Sequence, residues 1–166
     1  MIFMSQSSIT DITLSDQWSK WYVEHLEIML TVNGIDSAER FITNSQGWPF
    51  SLAMYSIRSP EIFQDPYYLK IRGMGSWVPL IDKNYYQRNL FSGREVAPKI
   101  SKDEVLLVTN QREPIPNLLD LEWDWLKSVG LDQSTPYRGI SVIKSESFME
   151  LTYLTKNFNI GVYKPT

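Results

Sequence analysis

A stretch of ten residues in the first third of the chain predicts a β-strand that is apolar on both faces. In WPFSLAMYSI, residues 48–57, one side carries Phe50, Leu52 and Met54, and the other carries Ala53, Tyr55 and Ile57. Successive side chains of a strand point to opposite faces of its sheet. Because both faces are apolar here, we expect a layer of protein on each side of the sheet.

The composition is typical of one folded domain without a nucleic-acid surface. The 166 residues are 43% hydrophobic, so we expect a single sensor or ligand-binding domain over 1–166, either complete or the N-terminal part of a longer chain. The net charge of -3 and the pI near 5.2 argue against nucleic-acid contact, which depends on clustered Lys and Arg. The chain has no cysteine, which excludes disulfides and fits a reducing compartment. No apolar run reaches the ~18 residues of a membrane span, so we expect a cytoplasmic protein with no membrane contact.

Periodicity along the chain predicts helices and strands in a definite order. We expect a helix from Ser15 towards Gly34, a short helix over 37–43, the strand at 48–57, a strand at PYYLKI, a short helix in VPLIDKNYYQRNLF, a strand at EVLLVT, a helix over PNLLDLEWDWLKSVG and a hairpin from Gly139 to Thr155. No internal repeat is visible. The predicted fold class is α+β, with an antiparallel sheet sandwiched between helices in an α-β-α arrangement.

The residues that usually carry catalysis are scarce. His25, the one histidine of the chain, falls on the apolar face of the first predicted helix, and we interpret it as a core or interface residue. Without a second histidine or a cysteine, a zinc site has too few ligands, and the chain has no G-x-S-x-G motif. Glu122 and Glu150 stand among apolar neighbours, where a carboxylate needs a donor, a raised pKa or access to water. We therefore expect no catalytic residue, no metal and no cofactor, and a structural or exposed role for both glutamates, with ligand contact as the alternative.

The second half of the chain carries a resemblance to a known family. The order of elements and the segment WLKSVGLDQSTPYRGISVIKSESFMELTYLT resemble the N-terminal sensor domain of LuxR-type transcriptional regulators, the autoinducer-binding domain. In that family a helix that ends at a glycine precedes a strand, a tight turn and a partner strand that line a ligand pocket. Here Gly130 ends the predicted helix, Gly139 opens the strand and FMELTYLT supplies the partner strand. SWVPLIDKNYYQRNLF resembles the Trp-led helix of the family, with its spaced tyrosines.

The resemblance implies a PAS-like or GAF-like sandwich with a small-molecule pocket between the sheet and one helical layer. The implied ligand contacts are Tyr55, Trp77, Tyr85, Ser141, Tyr153 and Thr155. Glu150 then faces the opposite layer, because it has the other parity in the hairpin. The implied ligand is a small apolar signal. It is an acyl lactone or a different molecule, since position 81 is Ile and no Asp-Pro pair follows Tyr85.

The resulting hypothesis is a non-catalytic, small-molecule-sensing regulatory domain of a LuxR-like transcription regulator with a role in quorum sensing. We expect this domain to act as a homodimer. The alternative from another class is a stand-alone protein-binding inhibitor or immunity protein, since such proteins are often small, acidic and free of cysteine. An enzyme, with Glu122 or Glu150 as its acid, is the third possibility.

Overall fold

The chain folds into a closed antiparallel β-barrel, which a computed structural model describes for residues 1–146 and 157–166. The strands of this part are β1 Ile2–Ser7, β2 Ile35–Ile42, β3 Ser51–Ile57, β4 Gln87–Ser92, β5 Glu104–Gln111, β6 Asp124–Leu131, β7 Tyr137–Lys144 and β8 Ile160–Pro165. The helices are α1 Ser15–Met29 and α2 Pro66–Ile71, with 3-10 turns at Ile12–Leu14, Pro60–Gln64, Gly75–Leu80 and Leu118–Asp120. The strands close in the order β1-β3-β2-β8-β5-β7-β6-β4, and β4 pairs with β1.

The predicted α-β-α sandwich is therefore wrong. The strand expected at residues 48–57 is present as β3, and all seven of its residues are buried. Its two apolar faces are covered in different ways, however. One face packs against the opposite wall of the barrel, and the other packs against the helical segments outside it.

Side chains fill the inside of the barrel. Alternate residues of β1 point inwards, and the register places Met4 beside Met54 of β3 and beside Asn89 of β4. The loop between β2 and β3 packs Trp48 into this interior, and the loop after β4 packs Ala97 into it. An eight-stranded barrel is just wide enough for side chains to fill it. The interior is accordingly a packed core.

The helices cover one side of the outer barrel wall. Residues of α1, among them Trp18 and Tyr22, pack on the outward residues of β1 and β3, among them Phe3 and Tyr55. The connection from β3 to β4, which holds α2 and two of the 3-10 turns, packs on the same cluster. This arrangement creates a layer between helix and sheet, where the candidate site lies.

The strand order is a repeat of one four-strand unit. Strands β1 to β4 are arranged 4-1-3-2, and β5 to β8 are arranged in the same way as 8-5-7-6. Exchanging each strand for its counterpart four strands later leaves the closed order unchanged. The two halves meet where β2 pairs with β8 and where β4 pairs with β6. The repeat that the sequence does not display is thus present in the topology.

Three of the predicted elements are confirmed. The first helix is α1, the strand at EVLLVT is β5 and the strand at 48–57 is β3. The first arm of the predicted hairpin forms β7, whereas its second arm, FMELTYLT, lies outside the described residues.

Four predicted elements are wrong. Residues 37–42 of the helix predicted at 37–43 belong to strand β2, and PYYLKI is helix α2. VPLIDKNYYQRNLF covers the end of a 3-10 turn and most of β4, and the segment predicted as the helix PNLLDLEWDWLKSVG ends in strand β6. In each case the pairing partners within the barrel, or a cap at the start of the segment, decided the conformation. Tertiary context of this kind commonly overrides local propensity.

Candidate functional site

A small cavity lies between helix α1, the α2 segment and the outer face of β1, β3 and β4. It holds about 20 Å³ of free space, enough for roughly one water molecule. Its polar lining comes from Ser5, Tyr22, His25, Tyr55, Tyr68, Arg72, Tyr86 and Arg88. No carboxylate is found among the described residues that line it.

Each lining residue is positioned by a regular element. Tyr22 and His25 are three apart on α1, so they share the face that turns towards the sheet. Tyr55 projects from β3 and stacks on Phe3 of β1, with ring centroids 5.1 Å apart. Arg88 of β4 stands directly across from Ser5 of β1. The cavity floor is therefore part of the barrel wall, and its roof is helical.

Helix α2 brings Tyr68 to Arg88. Asp65 caps this helix, accepting a hydrogen bond from the Tyr68 backbone N–H at 2.8 Å. The Tyr68 hydroxyl accepts a hydrogen bond from Nη2 of Arg88 at 2.5 Å. The Arg88 guanidinium also lies over the rings of Phe3 and Phe63, at 5.4 and 6.0 Å from their centroids. Arg88 is thus held in place by an aromatic cradle and one phenol.

The protonation states of the phenols and the imidazole leave hydrogen-bond donors in the cavity. Burial raises the pKa of the Tyr22, Tyr55 and Tyr68 phenols, so these groups keep their O–H hydrogens at neutral pH. Burial lowers the pKa of the His25 imidazole, which therefore favours the neutral ring. That ring stacks on Trp21 at a centroid distance of 4.8 Å. The guanidinium groups of Arg88 and Arg72 add positive charge and N–H donors, so the cavity is electropositive and rich in O–H and N–H groups.

The cavity opens to solvent where its lining residues are exposed, between the end of α2 and the start of β4. Arg72 and Gly73 are exposed where α2 ends, and Tyr86 is exposed just before β4. The inner residues Tyr22, Tyr55 and Tyr68 are buried. A ligand would therefore enter between the end of α2 and the start of β4 and place its leading group beside the buried phenols.

The residues that the resemblance implied as ligand contacts are spread over the molecule. Tyr55 lines the cavity. Trp77 packs in the same outer cluster, 6.5 Å from Trp21, and Tyr85 is half-buried in the loop before β4. Ser141 is buried in β7 opposite Leu107, in the other half of the barrel. Tyr153 and Thr155 lie outside the described residues.

Glu122 does not line this cavity. Glu122 is exposed in the segment before β6, and Glu150 lies outside the described residues. Within the described part of the chain, no group of His, Cys, Asp and Glu side chains could hold a metal ion. None of the helices described is both long and apolar enough to cross a membrane.

Sequence reasoning missed most of the lining. His25 was predicted as a core or interface residue, and it lies at the cavity beside Tyr22. Arg88 fell inside a segment predicted as a helix, and Tyr68 inside one predicted as a strand. The signal for Tyr68 was present, because Asp65-Pro66 is a cap followed by a proline, a common start of a helix. The placement of Arg88 depends on the register between β4 and β1, for which the sequence offers no local signal.

No protein-family model matches the chain, and a search of curated proteins finds no significant match.

Proposed function

We propose that the protein binds a small molecule with a carboxylate group in the cavity under α1, as a binding protein without catalysis. The observation that carries this proposal is the pairing of two arginines with buried phenols in a lining without a described carboxylate. Arg88 is half-buried and Arg72 is exposed, and a cation that is partly removed from water is stabilised by a partner of opposite charge. An anionic ligand would supply that partner.

Arg88 is the residue that would hold the ligand. It directs one N–H to Tyr68, and a guanidinium has five donors, so further donors remain for a ligand. Guanidinium and carboxylate match in shape and often pair through two parallel hydrogen bonds. The phenols of Tyr22 and Tyr55 add neutral donors from the opposite side.

The size of the cavity favours a carboxylate over a phosphate. The inner space of about 20 Å³ is close to that of one water molecule, so it would take one oxygen of a flat carboxylate more readily than the oxygens of a tetrahedral group. The rest of the ligand would then lie at the mouth, against the aromatic ring of Tyr86 and the side chain of Arg72.

The proposal is tested by thermal melting with benzoate and with benzamide, which has a similar shape but no charge. We expect benzoate to raise the melting temperature and benzamide to leave it unchanged. A ligand at 100 times its Kd stabilises by about 2.7 kcal/mol, which raises the Tm of a domain of this size by roughly 5–10 °C. Acetate and inorganic phosphate complete the panel and test the expected preference for a carboxylate.

Two variants locate the binding. Arg88→Gln should abolish the benzoate effect, whereas Arg58→Gln should preserve it, because Arg58 forms a surface ion pair with Asp36. The proposal is wrong if no anion in the panel stabilises the protein, or if Arg88→Gln melts with the same benzoate increment as the unchanged protein.

The wider role stays a prediction. Regulation of transcription in the manner of LuxR-type proteins, action as a homodimer and location in the cytoplasm are proposals that rest on the sequence, the last on the absence of cysteine. The ligand-binding part of that hypothesis agrees with the cavity, although its residues differ from those that the resemblance implied. The inhibitor or immunity protein and the enzyme remain alternatives, for which none of the observations above gives specific support.

A further inference from the structure

Arg40 is a second arginine buried under helix α1, outside the cavity described above. It projects from β2 and is 3% exposed. Its Nε donates to the Ser51 hydroxyl at 2.9 Å. Both terminal nitrogens, Nη1 and Nη2, are buried and lack a hydrogen-bond partner among the described residues. The charged end of this side chain is therefore shielded from water without an acceptor.

Two aromatic rings flank Arg40. The guanidinium carbon lies 4.5 Å from the ring centroid of Tyr22 and 5.3 Å from that of Trp18. Such contacts stabilise a cation through the faces of the rings. They do not accept the N–H hydrogens at the edge of the guanidinium, so these hydrogens stay available.

A second donor lies beside Arg40. The indole Nε1 of Trp18 is also buried and without a hydrogen-bond partner in the described structure, and the Ser7 hydroxyl lies next to the Tyr22 phenol. Ser7 is the cross-strand partner of Ser51, which binds Arg40, so these groups share the outer sheet face beneath α1. An indole and a guanidinium can only donate. The donors at this site therefore lack a negatively charged acceptor.

The described residues supply no such charge at this place. The groups that act electrostatically on Arg40 are the phenols of Tyr22 and Tyr55, and burial raises the pKa of both. They are therefore uncharged at neutral pH. Burial lowers the pKa of Arg40 to about 10, which leaves the guanidinium charged at neutral pH.

We propose that a chloride ion, or another monovalent anion of that size, binds beside the Arg40 guanidinium and the Trp18 indole N–H. An anion without an organic body is favoured because these atoms are closed off from solvent. Arg40 does not line the carboxylate cavity, and the Tyr22 ring is common to the two sites. The bound anion would hold α1 against the barrel wall and thereby stabilise the roof of the cavity.

The proposal predicts a halide-dependent melting temperature. At equal ionic strength, sodium chloride and sodium bromide should stabilise the protein more than sodium methanesulfonate, whose anion is too large for the site and is not a carboxylate. Trp18→Phe keeps an aromatic ring beside Arg40 but removes the indole donor, and it should weaken chloride binding roughly tenfold or more, since a hydrogen bond to a charged group is lost. Arg40→Gln should remove the chloride increment.

The Arg88→Gln variant separates this site from the cavity. It should retain the full chloride increment even though it loses the response to benzoate. Crystals of the unchanged protein grown with bromide should show an anomalous peak beside the Arg40 guanidinium, a readout that does not depend on how well any variant folds. Equal melting temperatures in chloride and methanesulfonate, a chloride increment that disappears in Arg88→Gln, or a bromide crystal without that peak would each overturn the proposal.

Discussion

At the scale of single residues, Gly161 shows how closely the barrel interior is packed. A Cβ at this position of β8 would lie 2.6 Å from Cδ2 of Trp48, closer than real Cβ atoms approach another side chain. Trp48 is itself buried and makes an edge contact with Tyr163, with centroids 6.3 Å apart. The large ring thus occupies the space that only a glycine leaves free.

We expect Gly161→Ala to destabilise the protein by about 1–3 kcal/mol, the usual cost of overpacking a core. Chemical denaturation measures this difference. Gly130→Ala in β6 is the control, because a Cβ there would lie 3.3 Å from the flexible end of Leu90, and its effect should be smaller. Adding Trp48→Leu to Gly161→Ala should recover part of the loss. An alanine tolerated at position 161 with unchanged stability would contradict this account of the packing.

The residues of the candidate site were predictable only in part. Tyr55 could be found because it belongs to a strand whose two faces are visibly apolar. His25 could be placed on a helix face, but the same face also makes the core, so its role was not decided by periodicity. Arg88 reaches the site because β4 pairs with β1, a contact between residues that are more than 80 positions apart in sequence. Such pairing follows from the closed barrel and not from any local pattern.

At the scale of elements, helix α2 positions the phenol that holds Arg88, and its cap should matter for both stability and binding. Asp65→Ala removes the acceptor of the Tyr68 N–H and should cost about 1 kcal/mol of stability, or roughly 2–4 °C in Tm. Asp65→Asn keeps an oxygen at the cap and serves as the control. Because the start of α2 carries Tyr68, benzoate affinity should fall in the alanine variant and stay close to normal in the asparagine variant. Equal behaviour of the two variants in melting and titration would refute this role.

The mispredicted elements have a common cause. PYYLKI has the composition of a strand, yet it follows a cap and begins with a proline, and it forms a helix. The residues before Gly130 have helical spacing, yet Trp125 and Leu126 face opposite sides of strand β6, because Trp125 packs with Trp123 outside the barrel and Leu126 inside it. When the sequence of a short segment is compatible with both a helix and a strand, the segment adopts the conformation that its neighbours in the fold can pair with.

At the scale of the whole molecule, two-sided burial of β3 was predicted from sequence and is confirmed, but it did not distinguish a sandwich from a barrel. Helices on both sides of a sheet bury its two faces, and so does a sheet that closes on itself under helices on one side. The topological repeat could not be predicted from the sequence either. Core positions need apolar side chains of suitable size more than particular identities, so two halves can keep one arrangement of strands without similar sequences.

The repeat predicts that the two halves of the chain, expressed as separate polypeptides, associate to form the barrel. Without its counterpart, each half exposes two unpaired strand edges, β2 and β4 in the first half and β6 and β8 in the second, and such edges drive association. Residues 1–95 and 96–166, divided at the exposed pair Glu95 and Val96, should form a one-to-one complex on co-expression, with a mass near the 19.4 kDa of the intact chain. Light scattering after size-exclusion chromatography measures that mass.

The control is a division inside the first half, between the exposed residues Gln46 and Gly47. This break separates β2 from β3, which share a long antiparallel ladder. It divides the first four-strand unit between the two pieces and leaves only the second unit whole. We therefore expect a lower yield of complex and a lower melting temperature than for the division at 95. If residues 1–95 were a stable monomer alone, or if the two divisions gave complexes of equal stability, the four-strand unit would not be the unit of assembly. A preference for the division at 95 would instead show that the topological repeat also organises the energetics, since the boundary between repeats would then coincide with the least costly place to break the chain.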